Sequence, residues 1–385
     1  MTFLGKIDLS TIIAGLYLRN PTMTAPGPTT RDGVTLKKQA EGGAGALVCK
    51  TVSVNPGVVP RPNISVVDRR SISTAVLNAE TWSDIPYQQW INKEYKIAKE
   101  AGVPVIASEG YTAEDHRKLG PLVEDAGVDA IEFSLHYVGL DYKPLLEIAK
   151  ALRESVELPI FPKFSPHIVN PVEFAKELEK IGGNGIVTIN TYGPCLHIDI
   201  ETGRPVLGSQ FSYGWMSGAA LKPLAVRYVA DVARAVRIPV IGCGGIMRGV
   251  DAVEHIMAGA SAVQICTASF LYGPTVYGKV ANEIEQFMRD HDYDSLADFR
   301  GIALKHLSQK ETLDLDPPLT NAELCTNCRT CERVCPYEAI RVEETVSKKF
   351  KVTIDKHRCY RCGLCVSVCP ARVFQWGSSA RAATM

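Results

Sequence analysis

From about residue 20 to residue 290, short apolar runs alternate with stretches whose apolar positions recur every three to four residues. That is the pattern of strands followed by amphipathic helices, as in βα units around a parallel sheet. The predicted strands are Thr22 to Pro26, Gly45 to Lys50, Pro104 to Glu109, Asp129 to Leu135, Pro159 to Phe164, Gly185 to Asn190, Pro239 to Cys243 and Ala262 to Cys266. Several follow a helix that ends in glycine, at Gly42-Gly43, Gly102, Gly127, Gly182-Gly183 and Gly259, where a left-handed cap turns the chain into the next strand. Eight such units over roughly 270 residues match a closed (β/α)8 TIM barrel. An open doubly wound sheet fits less well, because no GxGxxG follows the first strand. Two stretches, Ser53 to Pro86 and Thr191 to Lys222, break the repeat on the side where strands end, and are expected to be lids over a site.

Composition narrows the function. The 385 residues are 46% apolar, enough for an ordinary core, and Lys+Arg equals Asp+Glu at 42 each. A chain without net positive charge has no field to hold a phosphate backbone or an anionic membrane surface, so nucleic-acid binding is not expected. The apolar run Leu9 to Leu18 is bounded by Asp8 and Arg19, too short for a membrane span and poorly formed as a signal peptide. A cytoplasmic protein is expected.

Of twelve cysteines, eight fall in two C-terminal runs. The first is Cys325-x-x-Cys328-x-x-Cys331-x-x-x-Cys335-Pro336, and the second is Cys359-x-x-Cys362-x-x-Cys365-x-x-x-Cys369-Pro370. This spacing matches bacterial two-cluster ferredoxins, in which the fourth Cys of each run ligates the other 4Fe-4S cluster. One cluster then takes Cys325, Cys328, Cys331 and Cys369, and the other takes Cys359, Cys362, Cys365 and Cys335. Two structural zinc sites are the alternative, but zinc needs only four ligands and does not explain the duplicated run. The expected division is a barrel over 1–310, a linker over 311–321 containing the proline-bearing stretch Asp314 to Pro318, a ferredoxin-like domain over 322–375, and a tail over 376–385.

Clusters carry electrons singly, so the barrel should hold a cofactor that converts them to two-electron chemistry, and flavin is the usual one. Flavin mononucleotide (FMN) needs a positive charge near the N1 edge of its ring and donors for its phosphate. Lys50 and Lys163 close strands two and five, Gly244-Gly245 follows strand seven, and Thr267 follows strand eight, where such barrels often bind phosphate.

These residues, with Thr24-Ala25-Pro26-Gly27, Cys49-Lys50-Thr51, Leu77-Asn78-Ala79-Glu80, Pro162-Lys163-Phe164-Ser165-Pro166, Ser217-Gly218-x-x-x-Lys222-Pro223 and Gln264-Ile265-Cys266-Thr267, resemble the flavin barrels of the dihydroorotate dehydrogenase superfamily. With the ferredoxin tail, the chain resembles in particular the pyrimidine-reducing subunits of dihydropyrimidine dehydrogenases. The resemblance implies that Ala25, Gly27, Lys50, Thr51, Lys163, Gly218, Gly244, Gly245, Cys266 and Thr267 contact FMN. It also implies that Asn78, Ser134, Asn190 and Thr191 meet a bound ring, to which amides offer donor and acceptor together.

One departure stands out. Where the family has an Asn-x-Ser-Cys-Pro stretch carrying the proton-exchanging Cys, this chain reads Ser134-Leu135-His136-Tyr137-Val138, and the loop to the helix near Lys143 is short. His136 and Tyr137 are the replacement proton donors expected here, His136 being the better matched to neutral pH. Cys195 in the second lid is a rival, and Glu109 is either a substrate contact or an ion-pair partner. The expected activity is electron transfer through two 4Fe-4S clusters to FMN and, as hydride, to a polarised C=C bond of a small molecule. A separate redox partner is expected, either a flavoprotein subunit oxidising NAD(P)H or a ferredoxin, since no dinucleotide fingerprint is present. The competing reading is an electron-transfer or scaffold subunit without substrate chemistry. An oligomer is expected.

Overall fold

The computed structural model describes residues 7–135, 141–308, 315–345 and 349–377. His136 and Tyr137 therefore lie outside the described residues. The chain divides into two compact units, Met1–Leu304 and Lys305–Met385.

The first unit contains the eight expected strands, which we number β1 (Thr22–Thr24), β2 (Leu47–Val48), β3 (Val105–Ser108), β4 (Ala130–Leu135), β5 (Ile160–Phe164), β6 (Ile186–Thr188), β7 (Val240–Cys243) and β8 (Ala262–Ile265). They form one parallel sheet in the order β1-β8-β7-β6-β5-β4-β3-β2, and a parallel bridge between Met23 and Ala46 brings its two ends together. Helices follow each strand, from Gly33–Glu41 after β1 to Val276–Asp290 after β8. Local chemistry sets their ends. Asp32 accepts from the Thr35 amide at 2.8 Å, Thr112 accepts from the Asp115 amide at 3.1 Å, and proline opens the helices Lys143–Arg153, Pro171–Ile181 and Lys222–Ala233. At the Gly42-Gly43 turn it is Gly43 that goes left-handed, at φ +106°, while Gly42 stays right-handed.

Alternation along the strands sorts side chains between two layers. Ile131, Phe133, Leu135, Ile160 and Phe164 face the helices. Met23, Val48, Ile106, Ala130, Phe161, Val187, Ile241 and Ala262 point the other way and fill the barrel interior in a single apolar cluster. The N-terminal hairpin Thr11–Ile13/Leu16–Leu18 adds Ile13 and Leu18 to that cluster. Two residues further along, at the same inward parity, stand Ala25, Lys50, Ser108, Glu132, Lys163, Ile189, Cys243 and Gln264. Polarity therefore rises toward the C-terminal ends, as in barrels whose chemistry sits at that face.

The two expected lids are not separate flaps. Ile64–Val66 and Val76–Asn78 from the first pair with Gly214–Ser217 and Tyr192–Cys195 from the second, in one four-stranded antiparallel sheet.

The second unit repeats itself at a spacing of 34 residues. The left-handed residues Asn327, Arg329 and Glu338 are matched by Arg361, Gly363 and Arg372, and the short helix Thr330–Val334 by Leu364–Val368. An antiparallel pair, Ile340–Glu344 with Phe350–Ile354, supplies Ile340, Val342 and Val352 to its small core. Among the described residues no helix is long and apolar enough to cross a membrane.

Candidate active site

A cavity of about 490 Å³ opens among the strand ends, well within the range of cofactor and small-ligand sites. The candidate flavin-binding and ring-binding residues all line it. Ala25, Gly27, Lys50, Thr51, Lys163, Gly218, Gly244, Gly245, Cys266 and Thr267 are all in its wall, and so are Asn78, Ser134, Asn190 and Thr191.

Deep in the wall, Lys163 reaches Glu132 at 3.2 Å and the Gln264 carbonyl oxygen at 2.7 Å, and Gln264 donates in turn to Glu132. Lys163 and Glu132 have side-chain exposures of only 5% and 1%. Burial opposes the lysine charge, yet the Glu132 carboxylate, with Cys243 alongside, holds its pKa above the ordinary lysine value. The site thus keeps a fixed cation. Neither Glu132 nor Gln264 was among the sequence-derived candidates, although a Glu at inward parity in β4, two residues before the candidate Ser134, was the available signal.

A second cation is already matched. Lys50 pairs with Glu80, and Glu80 also accepts from the Asn63 side chain. Glu80 lines the cavity and was quoted in the sequence only as part of a motif. Asn78 donates to the Trp215 carbonyl at 3.0 Å, and its side-chain oxygen accepts from the Glu80 amide at 3.2 Å, so the lid sheet fixes its orientation. Asn190 reaches the Ser134 hydroxyl at 3.4 Å and accepts from the Thr191 amide at 2.8 Å.

The opposite part of the wall is built from close backbone approaches. A Cβ at Gly27 would meet the Cys266 sulfur at 2.7 Å, and one at Gly245, whose φ is +76°, would come within 2.6 Å of the Lys222 backbone. Lys222 is anchored by Asp251 at 2.9 Å and Glu254 at 2.7 Å, and Asp251 also accepts from the Met247 and Arg248 amides. His255 donates from Nε2 to the Gly244 carbonyl at 3.1 Å, and burial lowers its pKa to about 4, so it holds this loop as a neutral ring. Thr267 donates to the Ser217 hydroxyl at 2.8 Å. A glycine loop with a fixed peptide orientation, hydroxyls and two lysines is a donor set that suits a phosphate-bearing, electron-accepting ring.

Two alternatives resolve. Glu109 does not line the cavity; it is fully buried and pairs with His116 at 3.0 Å. Cys195 does not line it either, and its sulfur lies 3.6 Å from the Tyr192 carbonyl.

In the second unit, Cys335 of the first run shares one cavity with Cys359, Cys362 and Cys365 of the second, together with Tyr337 and Tyr360, whose rings stack at 4.3 Å. Burial, then the neighbouring Cys369, Cys328 and Cys325, push the Cys331 thiol up. Cys335 is thus grouped with the second run's first three cysteines, and Cys369 lies near Cys331 of the first run. The Ala339 amide lies 3.4 Å from the Cys335 sulfur and the Val373 amide 3.4 Å from the Cys369 sulfur, again 34 residues apart.

The sequence model of a family described as dihydroorotate dehydrogenase matches residues 8–288, and one described as 4Fe-4S dicluster domain matches 324–373. The chain belongs to the dihydroorotate dehydrogenase family. It is 37% identical over 309 residues to the dihydroorotate dehydrogenase B (NAD(+)) catalytic subunit of Thermoplasma volcanium, a match covering 77% of this chain and 99% of the relative. Subunits of the same description from Methanothermobacter thermautotrophicus and Geobacter sulfurreducens are 36% and 35% identical, over 77% and 74% of this chain and 98% and 95% of theirs. Like other members of the dihydroorotate dehydrogenase family, the chain is an FMN-dependent oxidoreductase acting on CH–CH bonds, here joined to a domain for two 4Fe-4S clusters.

Proposed function

We propose that this protein moves electrons between its two clusters and FMN and exchanges them, as hydride, with the C=C bond of an uncharged carbonyl-bearing ring of the pyrimidine type. The observation that carries this reading is Glu80. A ring bearing its own carboxylate, such as orotate, would look for a free cation in the wall, but Lys50 is bound to Glu80 and Lys163 to Glu132. It would instead meet the Glu80 carboxylate, which offsets the Lys50 charge, so the wall offers such a ring no net attraction to repay the loss of its hydration. A neutral cyclic imide meets the amides of Asn78 and Asn190 and the hydroxyls of Ser134 and Thr191 with matched donors and acceptors.

In this reading Lys163 stands at the electron-rich edge of the ring system, and Gly244, Gly245 and Thr267 hold the phosphate. Bound FMN supplies the hydride chemistry. Ala25, Gly27, Lys50, Thr51, Gly218 and Cys266 shape its cleft. The proton that completes reduction at carbon is assigned to His136 or Tyr137. Electrons enter through the clusters from a separate redox protein.

The test is anaerobic mixing of the reduced holoprotein with uracil, thymine or orotate. Uracil or thymine should reoxidise the flavin, with orotate slower by about tenfold or more, and Glu80→Gln should shift that ratio toward orotate. Faster oxidation by orotate in the unaltered protein would exclude the reading.

A further inference from the structure

The two cavity lysines are each matched by a carboxylate, Lys50 by Glu80 and Lys163 by Glu132. The second pair is the more deeply set, and it has a third member. Lys163 stands on β5 and Glu132 on the adjacent β4, while Gln264 reaches both from β8, four strands round the barrel from β4. All three residues are buried.

An ammonium only donates, a carboxylate only accepts, and an amide does one of each. The triangle therefore closes without conflict. Lys163 donates to one Glu132 oxygen at 3.2 Å and to the Gln264 oxygen at 2.7 Å, and the Gln264 nitrogen donates to the other Glu132 oxygen. Turning the amide over would set its nitrogen against the ammonium, so this chemistry fixes the orientation of Gln264. The nearby Cys243 and Cys266 thiols add no charge, because burial pushes both up, Cys266 to about 12.

The consequence is electrostatic. A bare cation beside a flavin binds the reduced ring, which is anionic at N1, more tightly than the oxidised ring, and so raises its potential. A cation tied to a carboxylate presents a dipole instead, and the preference for the reduced ring shrinks.

We propose that Glu132 and Gln264 are positioning residues that set the flavin potential: they hold the Lys163 ammonium in place while Glu132 cancels its net charge, so that bound FMN stays a strong hydride donor. This deepens the proposed function and rests on FMN lying beside Lys163.

Anaerobic redox titration of the holoprotein tests it. Reduced FMN should be bound no more tightly than oxidised FMN, which puts the bound potential at or below that of free FMN. Glu132→Gln keeps the size of the side chain and removes its charge. It should favour reduced FMN by about tenfold or more, a rise of about 30 mV or more for a two-electron couple. Glu132→Asp keeps the charge and should move the potential by less than half as much. Gln264→Leu should do the same, because it breaks the triangle without changing the charge, while FMN binding weakens in both redox states. Equal shifts in Glu132→Gln and Glu132→Asp, as a purely structural role gives, would overturn the proposal. So would an unaltered holoprotein whose potential lies more than about 30 mV above free FMN, and that measurement decides the matter if Glu132→Gln fails to hold FMN. Substrate plays no part in these titrations. A holoprotein that reduces neither uracil nor thymine fails the proposed reaction, and the potentials still judge Glu132. Full FMN affinity in Lys163→Met would instead remove the flavin from beside Lys163.

Discussion

Lys163→Met should lower the stability of the barrel by about 3–5 kcal/mol and leave the purified protein without FMN. The magnitude follows from what the lysine leaves behind. Glu132, at 1% exposure, would keep only the Gln264 amide as a partner, and a buried carboxylate stripped of its cation is among the costliest defects a core can carry. Urea denaturation of the apoprotein measures the first effect, and flavin released on heating measures the second. The double substitution Lys163→Met/Glu132→Leu separates them. Removing both charges should restore most of the stability, since a well-packed apolar pair can replace a buried ion pair, but FMN should remain lost because the fixed cation is still missing. Recovery of FMN in the double variant would show that the lysine acts only through folding.

Cys335→Ala should damage the cluster otherwise held by Cys359, Cys362 and Cys365, and not the one held by its own run. The shared cavity of Cys335 with those three, and the closeness of Cys369 to Cys331, motivate this. Combination variants give the clearest outcome. Cys335→Ala/Cys359→Ala should lose one cluster and retain about half the iron, whereas Cys335→Ala/Cys325→Ala should lose both. Electron paramagnetic resonance of the reduced protein should then show an isolated cluster signal in the first variant and none in the second. The opposite pattern would mean that each run closes on itself.

The barrel was legible because the strands carry apolar runs, several of them entered from a glycine turn, and because inward parity from Met23, Val48 or Phe161 leads two residues later to Ala25, Lys50 or Lys163. The cysteine runs were legible for the same reason, since their spacing is local. What the sequence hid is long-range. Asn78 bonds to a carbonyl 137 residues away, and nothing in either lid alone indicates that the two form a shared sheet. Glu80 is similar: its motif pointed toward the site, but its ion pair with Lys50, 30 residues distant, sets the charge of the cavity. Glu109 shows the reverse case, because its position at the end of a strand suggested function while the structure pairs it with His116, seven residues on in the following helix.

The most direct measurement is a single-turnover experiment on the reduced holoprotein, mixed anaerobically with uracil and followed in the flavin and cluster absorption bands. Flavin should reoxidise first, the clusters should follow as they refill it, and one dihydropyrimidine should form per hydride delivered. Cluster oxidation with no dihydropyrimidine formed, or no reoxidation by any uncharged pyrimidine, would contradict the route from iron-sulfur domain through flavin to ring.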